Sequence, residues 1–221
     1  MAIYDLSTTD EFLNLYRQLE GLRAKSAEAI SYHEAKYHSE LDEFRRIRNY
    51  LSHEEFGGGY PVAVSSSVNE RFKAILKKMK AKAYEFGHVP TFITKDATVL
   101  SAAESMSKNG YTYLPVLESG CLVGVVTSGS MLSLTYSAEI GDDLIEEGTT
   151  VGERMAYFGL ETQKARFMIM GRDTMLSEAE KEFSLIRNGK RLGAIFITES
   201  GKATEKVLRI LTIYDVLGQN E

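Results

Sequence analysis

The sequence predicts a mixed α+β fold: an N-terminal all-α helical bundle followed by two β-α-β-β-α units related by a pseudo-twofold. Three observations predict it. Apolar residues recur at three- and four-residue steps as far as about residue 86, as on one face of a helix. After Pro90 that pattern gives way to short β-branched and aromatic runs punctuated by glycine. The second pattern then occurs twice in the same order. The boundaries that follow are a helical domain over residues 1–86 and a second domain over 88–219. Its copies span about 88–136 and about 165–219, with a linker and a helix at 137–164 between them.

In the helical part, Phe12, Leu15, Tyr16, Leu19 and Leu22 form one amphipathic face, which thins at Ser26 and resumes at Ile30. Ser7, Thr8 or Thr9 is placed to cap its start. A second helix reads Leu41, Phe44, Ile47, Leu51, with Ser39 as its cap, and the FGGGYP stretch at 56–61 must end it. A third restarts with Ser67 as cap and carries Val68, Phe72, Ile75 and Met79 inward. Its outer face holds Lys73, Lys77, Lys78, Lys80 and Lys82, which reads as a solvated surface.

The first repeated unit runs TFIT-KDATVLSAAESMSKNG-YTYLPVLESGCLVGVVTSGSMLSL. Val99, Ala103 and Met106 face its helix inward, Asn109-Gly110 ends that helix, and Glu118-Ser119-Gly120 joins two buried strands as a hairpin. In the second unit FMIMGRDTMLSEAEKEFSLIRNG matches the first half, with Asn188-Gly189 for Asn109-Gly110. GAIFITESGKATEKVLRILTIYDVL matches the rest, with a longer hairpin tip and a helix expected around Val151–Phe158 between the copies.

Each unit ends alike, in GVVTSGS (124–130) and in RILTIYD (209–215). A threonine leaves a strand and, three residues later, an oxygen-bearing side chain opens a helix. Such a corner suits a phosphorylated ligand, because a hydroxyl and helix N-terminal amides can face the phosphate. An aspartate in the first turn can accept from two neighbouring hydroxyls, as on a ribose. The same residues also read as helix caps, with Thr127 and Thr212 as N-caps and Asp215 favouring the helix dipole.

The duplication, the LPV of Leu114–Val116 and the glycine–two hydrophobics–threonine–two residues–aspartate pattern resemble a tandem cystathionine-β-synthase (CBS) domain pair over residues 88–219. The resemblance implies a homodimeric regulatory module that binds an adenine nucleotide or related adenosyl ligand: AMP, ADP, ATP or S-adenosylmethionine. It requires no metal. Carried onto this chain, the ligand-binding residues are Thr212, Asp215, Arg209, Thr127 and Ser130, with adenine against Phe167, Met168 and Ile169. Two positions depart from the pattern. Ser130 stands where the first ribose-binding aspartate would be, and Arg209 replaces the second unit's glycine. The expectation is one competent site at Thr212 and Asp215 and a weaker or empty one at Thr127 and Ser130. Arg209 either reaches a phosphate or points to solvent.

One helical residue raises a separate question. With Leu41 at zero and about 100° per residue, Arg48 falls inside the arc of Phe44, Ile47 and Leu51. A charge there must be paired, wet or used, and Glu20 or Glu28 can pair it. RNYLSH also resembles the signature of HEPN domains, helical bundles that include metal-independent ribonucleases. That resemblance implies His53 as acid or base, Arg48 on the scissile phosphate and Asn49 orienting one of them, with RNA as partner. It needs the helix to end near Leu51 or a site across a dimer, because Arg48 and His53 lie about 140° apart on an unbroken helix.

Composition narrows the function classes. The formal net charge of -5 arises after residue 88, since residues 1–88 carry 13 basic and 13 acidic side chains and residues 89–221 carry 13 and 18. That balance argues against indiscriminate nucleic-acid binding. No segment approaches the roughly 18 apolar residues of a membrane span, and the start, MAIYDLSTTDEF, has no secretory signal pattern. A single cysteine, Cys121, fits a reducing compartment, so the expected location is the cytoplasm. His33 and His38 lack metal spacing and read as surface or satisfied polar residues. The function expected is a regulatory protein whose second domain binds an adenosyl ligand and biases the helical domain. The alternative is a nucleotide-gated ribonuclease using Arg48 and His53.

Overall fold

The structure, a computed structural model, describes residues 7–53, 63–139, 141 and 145–217. The glycine-rich stop expected at 56–61 lies outside the described residues. The architecture is mixed α+β, an N-terminal helical region followed by a sheet-and-helix module. Two compact units make it up. The first gathers the chain up to Lys82 together with Met175–Lys181, and the second comprises Ala83–Thr174 and the chain from Glu182 onward. No helix among the described residues is long and apolar enough to cross a membrane.

In the first unit α1 (Ser7–Lys36), α2 (His38–His53) and α3 (Ser66–Lys80) bury the stripes that their sequences present. Phe12, Leu15, Tyr16, Leu19, Phe44, Leu51, Phe72, Ile75 and Met79 share one core. At its centre the Phe44 and Phe72 rings stack with centroids 4.3 Å apart, and Phe12 packs 5.6 Å from Phe72. The thinning at Ser26 has a structural counterpart. Ser26 leaves helical geometry at φ -146°, ψ 34°, between Leu19 and Ile30, a stretch with no fully buried side chain to hold the axis straight. The N-cap of α3 is Ser65 rather than Ser67, and Ser65 Oγ lies 2.9 Å from Ser67 Oγ. On α3, Lys73 bridges Glu11 and Glu70 and Arg71 meets Glu43, while Lys80 donates to the neutral Gln18.

His33, exposed in neither its ring nor its backbone at 1%, meets Glu180 through Nε2, while Lys36 Nζ donates to the other Glu180 oxygen at 3.2 Å. Ser177 Oγ donates to the Ala29 carbonyl beside them. Burial pushes the Glu180 carboxyl up, but the hydrogen bond and charge of His33 and those of Lys36 outweigh it and hold it below the ordinary carboxylate value.

The second unit opens with the short α4 (Ala83–Phe86). Then α5 (Val99–Asn109) is capped by Thr98, whose side chain accepts from the Ser101 amide, and ends on Gly110 at φ 68°. It buries Val99, Ala102 and Met106, so the second inward position is Ala102 and Ala103 is only half-buried. The strands β1 (Tyr113–Glu118) and β2 (Cys121–Thr127) pair antiparallel across Ser119 and Gly120, both at positive φ as a two-residue hairpin turn demands. Ile93 bridges Val116 in parallel. The helix α6 (Ser128–Glu139) follows, then a 3-10 turn at Gly152–Arg154 and α7 (Met155–Phe158), where a helix was expected.

Beyond these lie β3 (Arg166–Gly171), α8 (Leu176–Ser184), β4 (Ile186–Arg187), β5 (Lys190–Thr198), β6 (Arg209–Thr212) and α9 (Ile213–Leu217). The strand β5 is buried from Leu192 to Thr198 and pairs parallel with β3 and antiparallel with β6. Asn188-Gly189 does not end the helix as the match to Asn109-Gly110 suggested. The helix α8 stops at Ser184, and the pair, with φ of 50° and 72°, makes the hairpin turn between β4 and β5. An Asn-Gly pair serves either purpose because both need left-handed backbone.

Two outcomes follow from this packing. Replacing Phe44 by alanine removes the central ring of the three-helix core, and denaturant unfolding is expected to show a loss of about 3–5 kcal/mol. A carboxyl held below its ordinary value stabilises fully above that value and loses the contribution as pH falls through the lowered one. The stability advantage of wild type over Glu180→Gln is therefore expected to be largest near neutrality and to shrink as pH drops below about 4, measured by unfolding at a series of pH values.

Candidate functional site

The strand β2 is buried from Leu122 to Val126 except at Val123, and Thr127 emerges as the chain turns into α6. The pairing of Tyr113 with Thr127 brings the start of β1 alongside this corner. A closed set of hydrogen bonds forms the turn. The Ser130 amide donates to Thr127 Oγ1 at 3.0 Å, and the Thr127 amide donates to Ser130 Oγ at 2.9 Å. Ser130 Oγ in turn donates to the Thr127 carbonyl at 2.9 Å. Thr127 thus serves as the helix cap, with Ser130 answering it in the manner of a capping box.

A third residue joins this corner. Gln163 is 2% exposed, and its Oε1 accepts from Thr127 Oγ1 at 3.0 Å. Its Nε2 donates to the carbonyls of Tyr157 at 2.8 Å and Gly159 at 3.2 Å. The segment through α7 is thereby tied to the strand-to-helix turn. It also lies close over β2. A Cβ built on Gly124 would sit 2.6 Å from the Phe158 carbonyl oxygen, so only glycine admits the approach.

Between the corner and this segment is a cavity of about 290 Å³. Thr112, Tyr113, Thr127, Ser133, Tyr157 and Lys164 contribute to its wall along with Gly129 and Gln163. Ser133 Oγ donates to the Gly129 carbonyl at 2.9 Å, Thr162 Oγ1 to the Gly159 carbonyl at 2.9 Å, and the Tyr157 hydroxyl to Ser137 Oγ at 2.8 Å. Burial, and then the nearby Tyr214, pushes the Tyr113 phenol up, so it stays neutral. Lys164 gives the wall its one lysine among the described residues. The arrangement can hold a small polar molecule with an anionic group beside Lys164.

The second corner is built the same way with a carboxylate. Asp215 Oδ2 accepts from both the amide and the hydroxyl of Thr212 at 2.7 Å, and Oδ1 lies 3.4 Å from His88 Nδ1. Arg209 is engaged by an aromatic ring. Its guanidinium lies 5.1 Å from the Tyr84 ring centroid, and that of Arg172 lies 4.6 Å from the same ring. Phe167 packs edge-on against Tyr113 with centroids 5.4 Å apart and joins the cluster of Leu117, Val125, Ala194 and Phe196, together with Ile169. Met168 Sδ accepts from Arg166, whose guanidinium also pairs with Glu182 at 2.9 Å.

In the first unit Arg48 is paired. It lies 3.9 Å from Glu20, its guanidinium carbon is 5.7 Å from the Tyr16 ring centroid, and its Nη1 donates to Asn49 Oδ1 at 3.4 Å. The helix α2 continues through His53, beyond the end near Leu51 that convergence of Arg48 and His53 within one chain required.

Sequence reasoning missed Gln163, Lys164 and Ser133. Gln163 and Lys164 fell within a span read as linker, and nothing local marks them, since their role depends on contacts up to 36 positions distant. Among the described residues no group of three or more His, Cys, Asp or Glu could hold a metal ion.

With this geometry in place, comparison with known proteins identifies part of the chain. Residues 83–135 match the model of the CBS domain. The CBS-matched segment contains α5, β1, β2 and the Thr127 corner. No curated protein matches the chain. Solved structures similar to it include CBSX2 in complex with AMP, at 20% identity and TM-score 0.45, covering 63% of this chain and 95% of that one. The Vibrio cholerae protein AcuB is similar at 14% identity and TM-score 0.45, covering 62% of this chain and 88% of that one. A CBS domain pair solved with 5′-methylthioadenosine and S-adenosyl-L-methionine is similar at 15% identity and TM-score 0.44, covering 64% of this chain and all of the other.

The close approach over β2 can be tested directly. Gly124→Ala must displace backbone at Phe158, and a destabilisation of about 1–3 kcal/mol is expected in denaturant unfolding.

Proposed function

We propose that this chain is a regulatory protein whose second unit binds a small adenosyl ligand, with the helical unit as the part that the ligand biases. The observation that carries the reading is the cavity at the Thr127 corner, inside the CBS-matched segment. At about 290 Å³ it stands at the small end of ligand pockets, which suits a nucleoside monophosphate or a similar molecule better than a dinucleotide. Phosphate would lie toward Lys164 and the amides opening α6, a helix of 12 residues.

In this reading residues 88–219 form a CBS pair, with one copy at about 88–136 and another at about 165–219, and two chains associate through it. The strand order supports two copies. Ile93 runs parallel to β1, which pairs antiparallel with β2, and β3 runs parallel to β5, which pairs antiparallel with β6. The Asp215 corner is then a second candidate, since Oδ1 retains capacity to accept. Arg48, engaged with Glu20 and Tyr16, gives the ribonuclease reading no comparable support.

Calorimetric titration of the full chain with AMP, ADP, ATP and S-adenosylmethionine tests the proposal. Saturable binding that survives Asp215→Ala and weakens by roughly three- to tenfold in Lys164→Ala is the expected result, the size of one partly exposed charge-assisted contact. Loss in Asp215→Ala alone would move the ligand to the other corner. If no member of the panel binds, the reading fails.

A further inference from the structure

We infer that the Thr127 cavity binds its nucleotide without reading the sugar's 2′-hydroxyl, so that ribo- and 2′-deoxyribonucleotides are held alike. The inference rests on the nucleotide reading above and concerns what that site recognises. Selective reading of a ribose needs an acceptor with spare capacity beside the sugar, and a charged acceptor changes affinity by roughly ten- to a hundredfold.

The hydroxyls at this corner are already committed. Ser130 Oγ accepts from the Thr127 amide and gives its proton to the Thr127 carbonyl, both at 2.9 Å, and Ser130 is 7% exposed. Thr127 Oγ1 accepts from the Ser130 amide at 3.0 Å and passes its own proton to Gln163 at 3.0 Å. Gln163 cannot turn to a ligand instead, because its amide nitrogen is held by the Tyr157 and Gly159 carbonyls. The protons of Ser133, Thr162 and Tyr157 likewise end on protein acceptors. The hydroxyls of Thr112, Tyr113 and Ser128 also belong to the wall, but among the described residues that line it there is no carboxylate, so what the cavity offers a sugar is the lone pair of a neutral oxygen rather than a charged acceptor.

The other corner of the same unit shows what is missing. There one oxygen of Asp215 takes both bonds from Thr212, doing the capping work of Ser130, and the second oxygen stays available with its charge. Serine at 130 performs the capping half of that task and has no second oxygen for the ligand half. Recognition in the cavity then falls to the anionic end, through Lys164, and to the fit of the remainder.

The test compares AMP with 2′-deoxy-AMP by calorimetry on the full chain carrying Asp215→Asn, which removes the carboxylate of the other corner. The expected result is two dissociation constants within about threefold of each other, as for a bond between neutral groups. A tenfold or greater preference for AMP would overturn the inference and leave the nucleotide reading standing. Absence of binding by either nucleotide to Asp215→Asn would overturn the inference, and absence of binding to wild type as well would overturn the nucleotide reading. Adding Ser130→Asp, which keeps a capping oxygen and supplies a free one, is expected to raise the preference for AMP to tenfold or more. A soluble, folded variant with an unchanged ratio would show that the sugar does not lie at Ser130 and would equally overturn the inference.

Discussion

At the end of β2 the chain turns from strand to helix within three residues, and the hydrogen bonds that close the turn organise everything around it. Thr127 and Ser130 satisfy each other's amide groups, so two of the backbone donors at the start of α6 are paired within the turn itself. Gln163 extends the same network to the segment carrying α7. Because a buried amide left unsatisfied costs more than a hydrogen bond gains, that segment has little freedom to sit elsewhere. The cavity owes its shape to this tie and to the bare backbone at Gly124, which lets Phe158 come close.

The two corners of the second unit show one local solution used with different residues. Thr127 with Ser130 and Thr212 with Asp215 both cap a helix, and a hydroxyl or a carboxylate oxygen does so equally well. They differ in what is left over. The serine is exhausted by the cap, whereas the aspartate retains one oxygen, near His88. The two corners are therefore alike as caps and differ in the oxygen each leaves over. The wall residues that the sequence did not advertise, Lys164 above all, become the groups that give the cavity its chemistry.

The helical unit illustrates how a charge on a packing arc is accommodated. Arg48 follows the arc of Phe44 and Leu51, yet its guanidinium lies over the Tyr16 ring and reaches Glu20, so it is partnered rather than stranded. Deeper in, His33 and Glu180 form a buried polar contact joined by Lys36. Such a contact is expensive to break because removing one partner leaves the other buried without compensation.

Much of the architecture was legible in the sequence. The three- and four-residue spacing of Phe12, Leu15, Tyr16 and Leu19, or of Phe72, Ile75 and Met79, is a local property of a helix, and these residues do form the core. The αL pair ending α5 and the hairpin turn at Ser119-Gly120 were equally local. Where two structures accept the same local signal, sequence was not enough: Asn188-Gly189 could end a helix or turn a hairpin, and only the pairing of β4 with β5 decided it. The corners were visible as threonines followed by an oxygen at the third position, but whether those oxygens face a ligand or close a cap depends on hydrogen bonds no spacing reveals. The sequence by itself determined the elements and the two corners, because periodicity, turns and caps are properties of neighbouring residues. Tertiary structure alone decided that the cavity lies at Thr127, with Gln163 and Lys164 in its wall, because that depends on bringing a segment 36 positions away over a glycine in β2.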